Sequence, residues 1–434
     1  MDPDQHGSRR NRSCLSQLLE HHDEVLKMME EGANIDVIYA DFAKAYDKLD
    51  HFQMLQKMKY QFGIEGRLGK WIQNFLHNRK QQILIEETTS EKSKVLSGSI
   101  QGSVLGPVLF LMYIRDIAKK VTANTKIFVD DTKIKDTIKE EADVEKLQKN
   151  LDLLFEWQEE NNMLFNGSKF QVLRYGQNED LKNATLYFTD NTEHIIERFS
   201  SLRDLGVILS DNGKFDDHIE KVSKQVRQKA GWILRSFYSR NIEHLKHLWK
   251  TLVQCHIDYC SQLYMPGSSQ GRQDIEKLFY NFSSKIPSIR EENYWERLKI
   301  LKMYSQERRM ERYRIIYMWK IQEGLVPNCG VEIAPENTRL GRKVKIPCLQ
   351  KNGRHAVQTM RENSFQINGA RLFNSLPKKI REIRKYQDEF KIALDEYLST
   401  VPDQPRIGSL VPTATDRLSG RQSNSLLAWT NTAG

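Results

Sequence analysis

The chain has 434 residues, with 66 Lys and Arg against 57 Asp and Glu for a formal net charge of +9. That length allows roughly two or three domains with cores of their own, and the modest basic excess suits a polyanionic partner. Five cysteines in no regular framework and the lack of any long apolar run argue against an extracellular disulfide scaffold or a membrane span. A soluble intracellular protein, nuclear or cytoplasmic, without membrane contact is expected.

In chain order, SCLSQLLEHHDEVLKMMEEG predicts a helix. Ser13 suits the N-cap, Leu15, Leu18, Leu19, Val25, Leu26 and Met29 recur at helical spacing, and Gly32 ends it. IDVIYADF is short, β-branched and aromatic, a buried strand ending at Asp41. GRLGKWIQNFLHNRK predicts an amphipathic helix, and QQILIEE with KVLSGS two strands joined by a polar loop. GSVLGPVLFLMYIRDIAKK reads as one long apolar helix, with Pro107 tolerated near its start. KIFVDDTKIKDTI divides at its aspartates into a hairpin; the helix EEADVEKLQKNLDLLFEWQEENNM and the strand KFQVLRYG follow. The pattern is α+β with antiparallel strands. From about residue 179 a strand-and-loop section gives way, near Asp217, to long basic amphipathic helices. From Val401 the Ser, Thr, Pro, Gly and Gln content predicts a disordered tail.

Asp130 and Asp131 end an apolar run, where adjacent carboxylates repel one another and lose hydration. Taken alone, they read as solvated turn residues. DVIYADF, however, ends in Asp41 much as IFVD ends in Asp130, so two central strands could deliver carboxylates to one sheet edge. Such a cluster can hold two hard divalent cations, and Mg²⁺ prefers oxygen ligands. A pair of these ions activates a hydroxyl and steadies a leaving pyrophosphate, which is the chemistry of nucleotide polymerisation.

The ordered blocks QHGSRRNRSC, DVIYADFAKAYDKLDH, WIQNFLHNRKQ, SGSIQGSVLGPVLFLMYIRDI, IFVDDTKI, NMLFNGSK and LGVILSDNGKFDDHI, continued by HIDYCSQLY and NGARLFNSLPKKI, resemble the reverse transcriptases of non-LTR retrotransposons of the jockey and CR1-like kind. The resemblance implies a right-hand polymerase: a palm with an antiparallel sheet and partial fingers over residues 1–178, a primer-grip-like section and helical thumb over 179–265, a basic helical region over 266–400, and the tail over 401–434. It implies RNA-directed DNA synthesis by two-metal nucleotidyl transfer. An RNA template, a DNA primer and deoxynucleoside triphosphates would be the partners, and Mg²⁺ or Mn²⁺ the cofactor.

Residue by residue, the resemblance makes Asp41 and Asp130 metal ligands, with Asp131 an accessory. Phe42 and Tyr46 would lie beside the nucleotide, the Tyr46 ring crowding the sugar 2′ position; a core tyrosine is the competing reading. Gln101 and Gly102 would contact nucleotide and template, although a helix start capped by Ser103 accounts for the same residues. Lys169 would protonate the departing pyrophosphate or be a solvated loop lysine. The basic helices beyond Asp217 would give sequence-independent affinity for nucleic acid, and solvated charged faces look the same.

Several positions depart from the family pattern: Ser8, Asn11, Ile100 and Phe170. The chain also begins close to the helix before the first aspartate strand, which implies missing fingers and, as an alternative, a silent fragment that only binds nucleic acid. A maturase-like RNA-folding role is weaker still. His244, His247, Cys255, His256 and Cys260 cluster without the spacing of a zinc finger, and a zinc site is not expected.

Overall fold

A computed structural model of the chain describes residues 4–176, 186–189, 193–335, 341–350, 354–407 and 424–430. The predicted first helix runs Cys14–Glu30 (α1). Ser13 caps it, its Oγ accepting from the Ser16 N–H at 3.3 Å, and Gly32 at φ 80° ends it. The chain divides into two compact units, Met1–Gln17 with Ala33–Ser200 and Leu18–Gly32 with Ser201–Gly434.

In the first unit the β-branched run after Gly32 forms β1 (Asn34–Ala40). Two-residue ladders follow: β2 (Lys80–Gln81) with β5 (Ser93–Lys94), and between them β3 (Leu84–Ile85) with β4 (Thr88–Thr89). Two longer strands were expected there; all four pieces are exposed and have no core to lengthen against. β6 (Asn124–Phe128) and β7 (Asp131–Ile138) form the predicted hairpin, and β8 (Gln171–Tyr175) the predicted strand. β9 (Tyr187–Thr189) and β10 (Glu193–Ile195) pair as a small hairpin, and β11 (Glu197–Phe199) completes a five-stranded sheet ordered β11-β8-β1-β7-β6. β1 lies at its centre, with Ile38 opposite both Ile134 and Val172. The sheet is antiparallel except that β11 runs parallel to β8.

Helix α2 (His51–Phe62) has no counterpart in the predicted elements. Its apolar residues point both ways: Met54 and Met58 are buried, whereas Phe52 and Tyr60 face solvent, which blurs the helical stripe. α3 (Gly66–Leu76) forms as expected. The long apolar helix is instead two, α4 (Leu105–Tyr113) and α5 (Ile117–Lys120). At the break, buried Lys57 donates to the Tyr113 carbonyl at 2.6 Å and pairs with Asp116, which also accepts from Trp157 Nε1 at 2.8 Å. α6 (Glu141–Asn161) covers the sheet, its Leu147, Leu151, Leu154 and Trp157 sharing one core with Ile38, Ile134, Val172 and Phe110.

The second unit opens with a hairpin of β12 (Ser201–Asp204) and β13 (Val207–Ser210), whose turn residues Leu205 and Gly206 both take positive φ. Helices then follow: α7 (Asp216–Ser236), α8 (Ile242–Leu248), α9 (Gln254–Asp258), α10 (Ser269–Ser283), α11 (Tyr294–Leu301), α12 (Gln306–Gln322), α13 (His355–Asn363), α14 (Ala370–Asn374), α15 (Lys378–Arg381), α16 (Gln387–Thr400) and α17 (Leu426–Thr430). Trp249, Phe279, Phe282 and Tyr294 centre their core.

The arginines of α12 do not form the solvated basic face its sequence suggests. Arg314 is buried and donates to the carbonyls of Gln262, Leu263 and Asn363 and to Asn368 Oδ1. Arg309 pairs with Asp258 at 2.7 Å, and Arg312 with Asp395. A helix buried on most of its sides takes its charges into the interior with it, and these arginines are met there by fixed acceptors. Of the predicted tail, residues 408–423 and 431–434 lie outside the described residues. Ile407 and Leu426 are buried, and the Leu426 N–H donates to Glu311 at 3.1 Å. Among the described residues no helix is long and apolar enough to cross a membrane.

Candidate active site

Asp41 stands just past the end of β1. Its carbonyl accepts from the Asn166 N–H at 2.8 Å, and Ala43 N–H donates to the Leu164 carbonyl at 2.9 Å, so the chain leaving β1 is pinned against the segment before β8. Phe42, between these bonds, stacks on Phe165 with centroids 4.2 Å apart and meets Phe110 edge-on. Its side chain is a core group, not the exposed nucleotide contact expected of Phe42. The same pinning presents Lys169, on a short 3₁₀ turn (Gly167–Lys169), to Asp41, with Nζ 2.7 Å from Oδ2. Both groups are solvent-accessible, and the carboxylate raises the lysine's pKa above its ordinary value.

Asp130 sits in the two-residue turn that joins β6 to β7, where Phe128 faces Asp131. Burial first, and then the negative charge of Asp41, raises its carboxyl above the usual range. The two strand ends therefore bring these carboxylates into electrostatic contact. The turn's other residue, Val129, has φ 59°, a left-handed conformation that is strained for a β-branched side chain.

The amino-terminal segment clamps that turn. Gln5 Oε1 accepts from the N–H of Val129 at 3.0 Å and of Gly7 at 2.8 Å. Ile127 exchanges backbone bonds with Asp4 and His6, and Lys126 pairs with Asp4 at 2.9 Å. Gly7 passes so close that a Cβ there would lie 2.4 Å from Val129 Cγ2 and 2.5 Å from its nitrogen. The sequence marked this region through its QHG block but attached no role to Gln5 or Gly7.

Tyr46 stacks on Phe110 at 4.8 Å and is only partly buried. Burial and the charge of Asp130 raise its hydroxyl pKa, so one ring packs against the core while facing the carboxylates. Gln101 instead donates to Asp47 Oδ1 at 3.0 Å. Gly102, at φ 81°, borders open space, and Ser103 Oγ accepts from the Gly106 N–H at 3.0 Å as a helix-start cap. Asp131 is exposed at the head of β7. Asp41, Asp130, Lys169 and Tyr46 thus form one electrostatic group, while Gln101 is bonded to its own neighbour, Asp47.

Among the described residues no group of three or more His, Cys, Asp or Glu is arranged to hold a metal ion. Asp41 and Asp130 nonetheless offer oxygen-only donors whose mutual repulsion a hard cation would relieve, and Lys169 is the counter-charge in place.

Residues 1–209 match the family described as reverse transcriptase (RNA-dependent DNA polymerase). The RNA-directed DNA polymerase from mobile element jockey of Drosophila funebris is 24% identical over 253 residues, covering 55% of this chain and 27% of that protein. The probable RNA-directed DNA polymerase from transposon X-element of Drosophila melanogaster is 22% identical over 277 residues, covering 60% and 29%. The chain spans little more than a quarter of the length of these curated relatives. Among solved structures, apo telomerase from Candida tropicalis aligns with TM-score 0.42 and 10% identity over 99% of this chain and 57% of that one. Telomerase from Candida albicans with a telomeric RNA fragment aligns with TM-score 0.40 and 12% identity over 74% and 50%. The match to the reverse transcriptase family thus spans residues 1–209, and the curated relatives the chain resembles are RNA-directed DNA polymerases of mobile elements.

Proposed function

We propose that the protein is an RNA-directed DNA polymerase of a non-LTR retrotransposon, extending a DNA primer on an RNA template with deoxynucleoside triphosphates. The observation that carries this reading is the meeting of Asp41 and Asp130 at one end of the sheet, beside Lys169 and Tyr46. In this reading the five-stranded sheet is the palm and the helices after β13 include the thumb. Asp41 and Asp130 would hold Mg²⁺ or Mn²⁺, with Asp131 as an accessory. When bound, such ions neutralise phosphate charge and lower the pKa of a coordinated hydroxyl.

The side chains supply the rest. Asp130, held in a strained turn and raised in pKa, must lose its proton before it can act as a ligand, so activity rises with pH through an acid limb above the ordinary carboxylate range. Lys169 stays protonated beside Asp41 and can give its proton to a leaving pyrophosphate oxygen. Tyr46, backed by Phe110, is a fixed wall that rejects a 2′-hydroxyl by bulk. Gln101 and Gly102 would border the nucleotide and template, with Gly102 leaving room for a close backbone approach.

The test is incorporation of a labelled deoxynucleotide on an RNA template with a DNA primer, with Mg²⁺ and with chelator, by the parent chain, Asp41→Asn and Asp130→Asn. Metal-dependent incorporation lost in both variants is expected. Incorporation by Asp130→Asn equal to an active parent would overturn the assignment, and nucleic-acid binding without any incorporation by the parent would leave only a binding role.

A further inference from the structure

A second feature of the first unit shares no residue with the carboxylate site. In the ladder between β2 and β5, Lys80 lies directly opposite Lys94. Like charges facing each other across a ladder destabilise it, and a ladder of two residue pairs has little to offset that repulsion. Both lysines are exposed, and among the described residues neither ammonium has a carboxylate partner. They line a cleft of about 490 Å³ together with His77, Arg79, Asp50 and Phe52. Asp50 adds one negative charge at the edge of the cleft, its Oδ1 capping α2 by accepting from the Gln53 N–H at 2.9 Å and its Oδ2 accepting from Asn162 Nδ2, and Lys80, Lys94 and Arg79 together outweigh it. Phe52 is 66% exposed, an aromatic face left to solvent among cations.

The wall of this cleft is fastened to the segment that carries Tyr46. Gly98, at φ 85°, presents its carbonyl to Arg79 Nη2 and to His51 Nε2, the latter at 2.8 Å. Its N–H donates to the Leu49 carbonyl at 2.8 Å, and Ser99 N–H to the Tyr46 carbonyl at 2.9 Å. A Cβ on Gly98 would stand 2.8 Å from the Asp47 carbonyl oxygen, so only glycine permits the approach. From Leu96 in the cleft wall to Gln101 is five residues, at most about 17 Å along the chain.

We infer that this cleft binds single-stranded nucleic acid, with backbone phosphates bridging Lys80, Lys94 and Arg79 and one unstacked base lying on Phe52. A phosphate between the lysines turns the unfavourable cross-strand pair into a favourable arrangement, and an exposed ring among cations is a stacking platform. A duplex, whose bases are already stacked, cannot use Phe52. The inference deepens the polymerase reading, because it places an unpaired stretch of strand on the same backbone framework as Tyr46 and Gln101.

The experiment is fluorescence anisotropy of a labelled oligothymidylate of roughly 15 nucleotides, titrated with the full chain in chelator over a salt series. The variants are Lys80→Glu, Lys80→Glu/Lys94→Glu and Phe52→Ala. Lys80→Glu creates a Glu–Lys cross-strand pair, so thermal stability should hold or rise while affinity falls, a pairing of results that a merely structural role would not give. The double variant should lose at least about tenfold in affinity and lower the slope of log K against log salt by about 1.4, two contacts at about 0.7 each. Phe52→Ala should weaken thymidylate binding by about tenfold but leave binding of an abasic strand unchanged. Affinity and salt slope unchanged in the double variant, no binding of a single strand by the parent, or equal loss by Phe52→Ala on the abasic strand would each overturn the inference. A parent that binds in chelator yet incorporates nothing with Mg²⁺ would sink the polymerase reading and leave the cleft standing.

Discussion

Ionisable groups at the candidate site of the first unit and in the buried core of the second are held in opposite ways. In the first, Asp41 has a single lysine beside it within reach of water, and Asp130 carries a like charge nearby. In the second, Arg314 is buried with four acceptors around it, and Glu276 is buried with the Tyr294 hydroxyl and the Gln306 N–H donating to it. A buried ionisable group whose partners are all in place is architecture, since removing one partner strands the others in a low-dielectric interior. A charge left partly open beside its like is poised for something to arrive.

Substitutions should separate them. Asp130→Asn should cut incorporation on the order of 10³-fold while leaving the urea midpoint near the parent's. Arg314→Ala should do the reverse to stability, losing about 3–5 kcal/mol in urea unfolding followed by fluorescence, because several acceptors lose their donor at once. If Arg314→Ala unfolds with the parent, the contrast between the two units fails.

pH sharpens the comparison. Burial raises Glu276 to about 8 in the folded chain from the ordinary 4.5 of a free glutamate, so the unfolded chain releases the proton first as pH rises. Its contribution is complete below about 4.5 and is lost as pH climbs through about 8. Urea midpoints measured from pH 5 to 8.5 should therefore decline, and Glu276→Gln, which keeps the neutral shape, should flatten the slope. An unchanged slope would mean that Glu276 is ionised at neutral pH in the fold.

Smaller effects probe the carboxylate turn and its surroundings. Gly7→Ala would place a Cβ on Val129 and should cost about 1–3 kcal/mol, with a loss of incorporation larger than the stability change explains. An active, undisturbed Gly7→Ala would show that the amino-terminal clamp is dispensable. Tyr46→Val should raise the ratio of ribonucleotide to deoxynucleotide incorporation by about tenfold; a constant ratio in competition assays would reduce Tyr46 to a core residue.

How far such contrasts were legible in the sequence depended on the range of the contacts. Asp41 and Asp130 stood out because each ends a compact β-branched run, a signal carried within a few residues. Ser13 and Gly32 marked α1 for the same reason. The Gln5 clamp was silent because its partner, Val129, is more than a hundred residues away and an amide bonding to a backbone N–H leaves no local pattern. The arginines of α12 misled for a similar reason, since Asp258, Gln262 and Asp395 lie on other helices or loops. Within the expected strand-and-loop section β11 could not be delimited, because three residues reading Glu197, Arg198, Phe199 carry no strand periodicity, and only the neighbouring β8 makes them a strand.

The pairing of Asp4 and His6 with Ile127 also bears on how the protein behaves in concentrated solution. β6 is the last strand on its side of the sheet, and an uncovered outer strand invites pairing with another molecule. The short parallel bridge between Gln5 and Ile127 occupies that flank and withholds part of its backbone from a neighbour. Proteolytic trimming past Gly7 would thus expose a sticky border immediately beside Asp130, and the trimmed protein should self-associate through the face that carries its carboxylates. Catalytic decline and clumping on storage would then have a common origin in four residues.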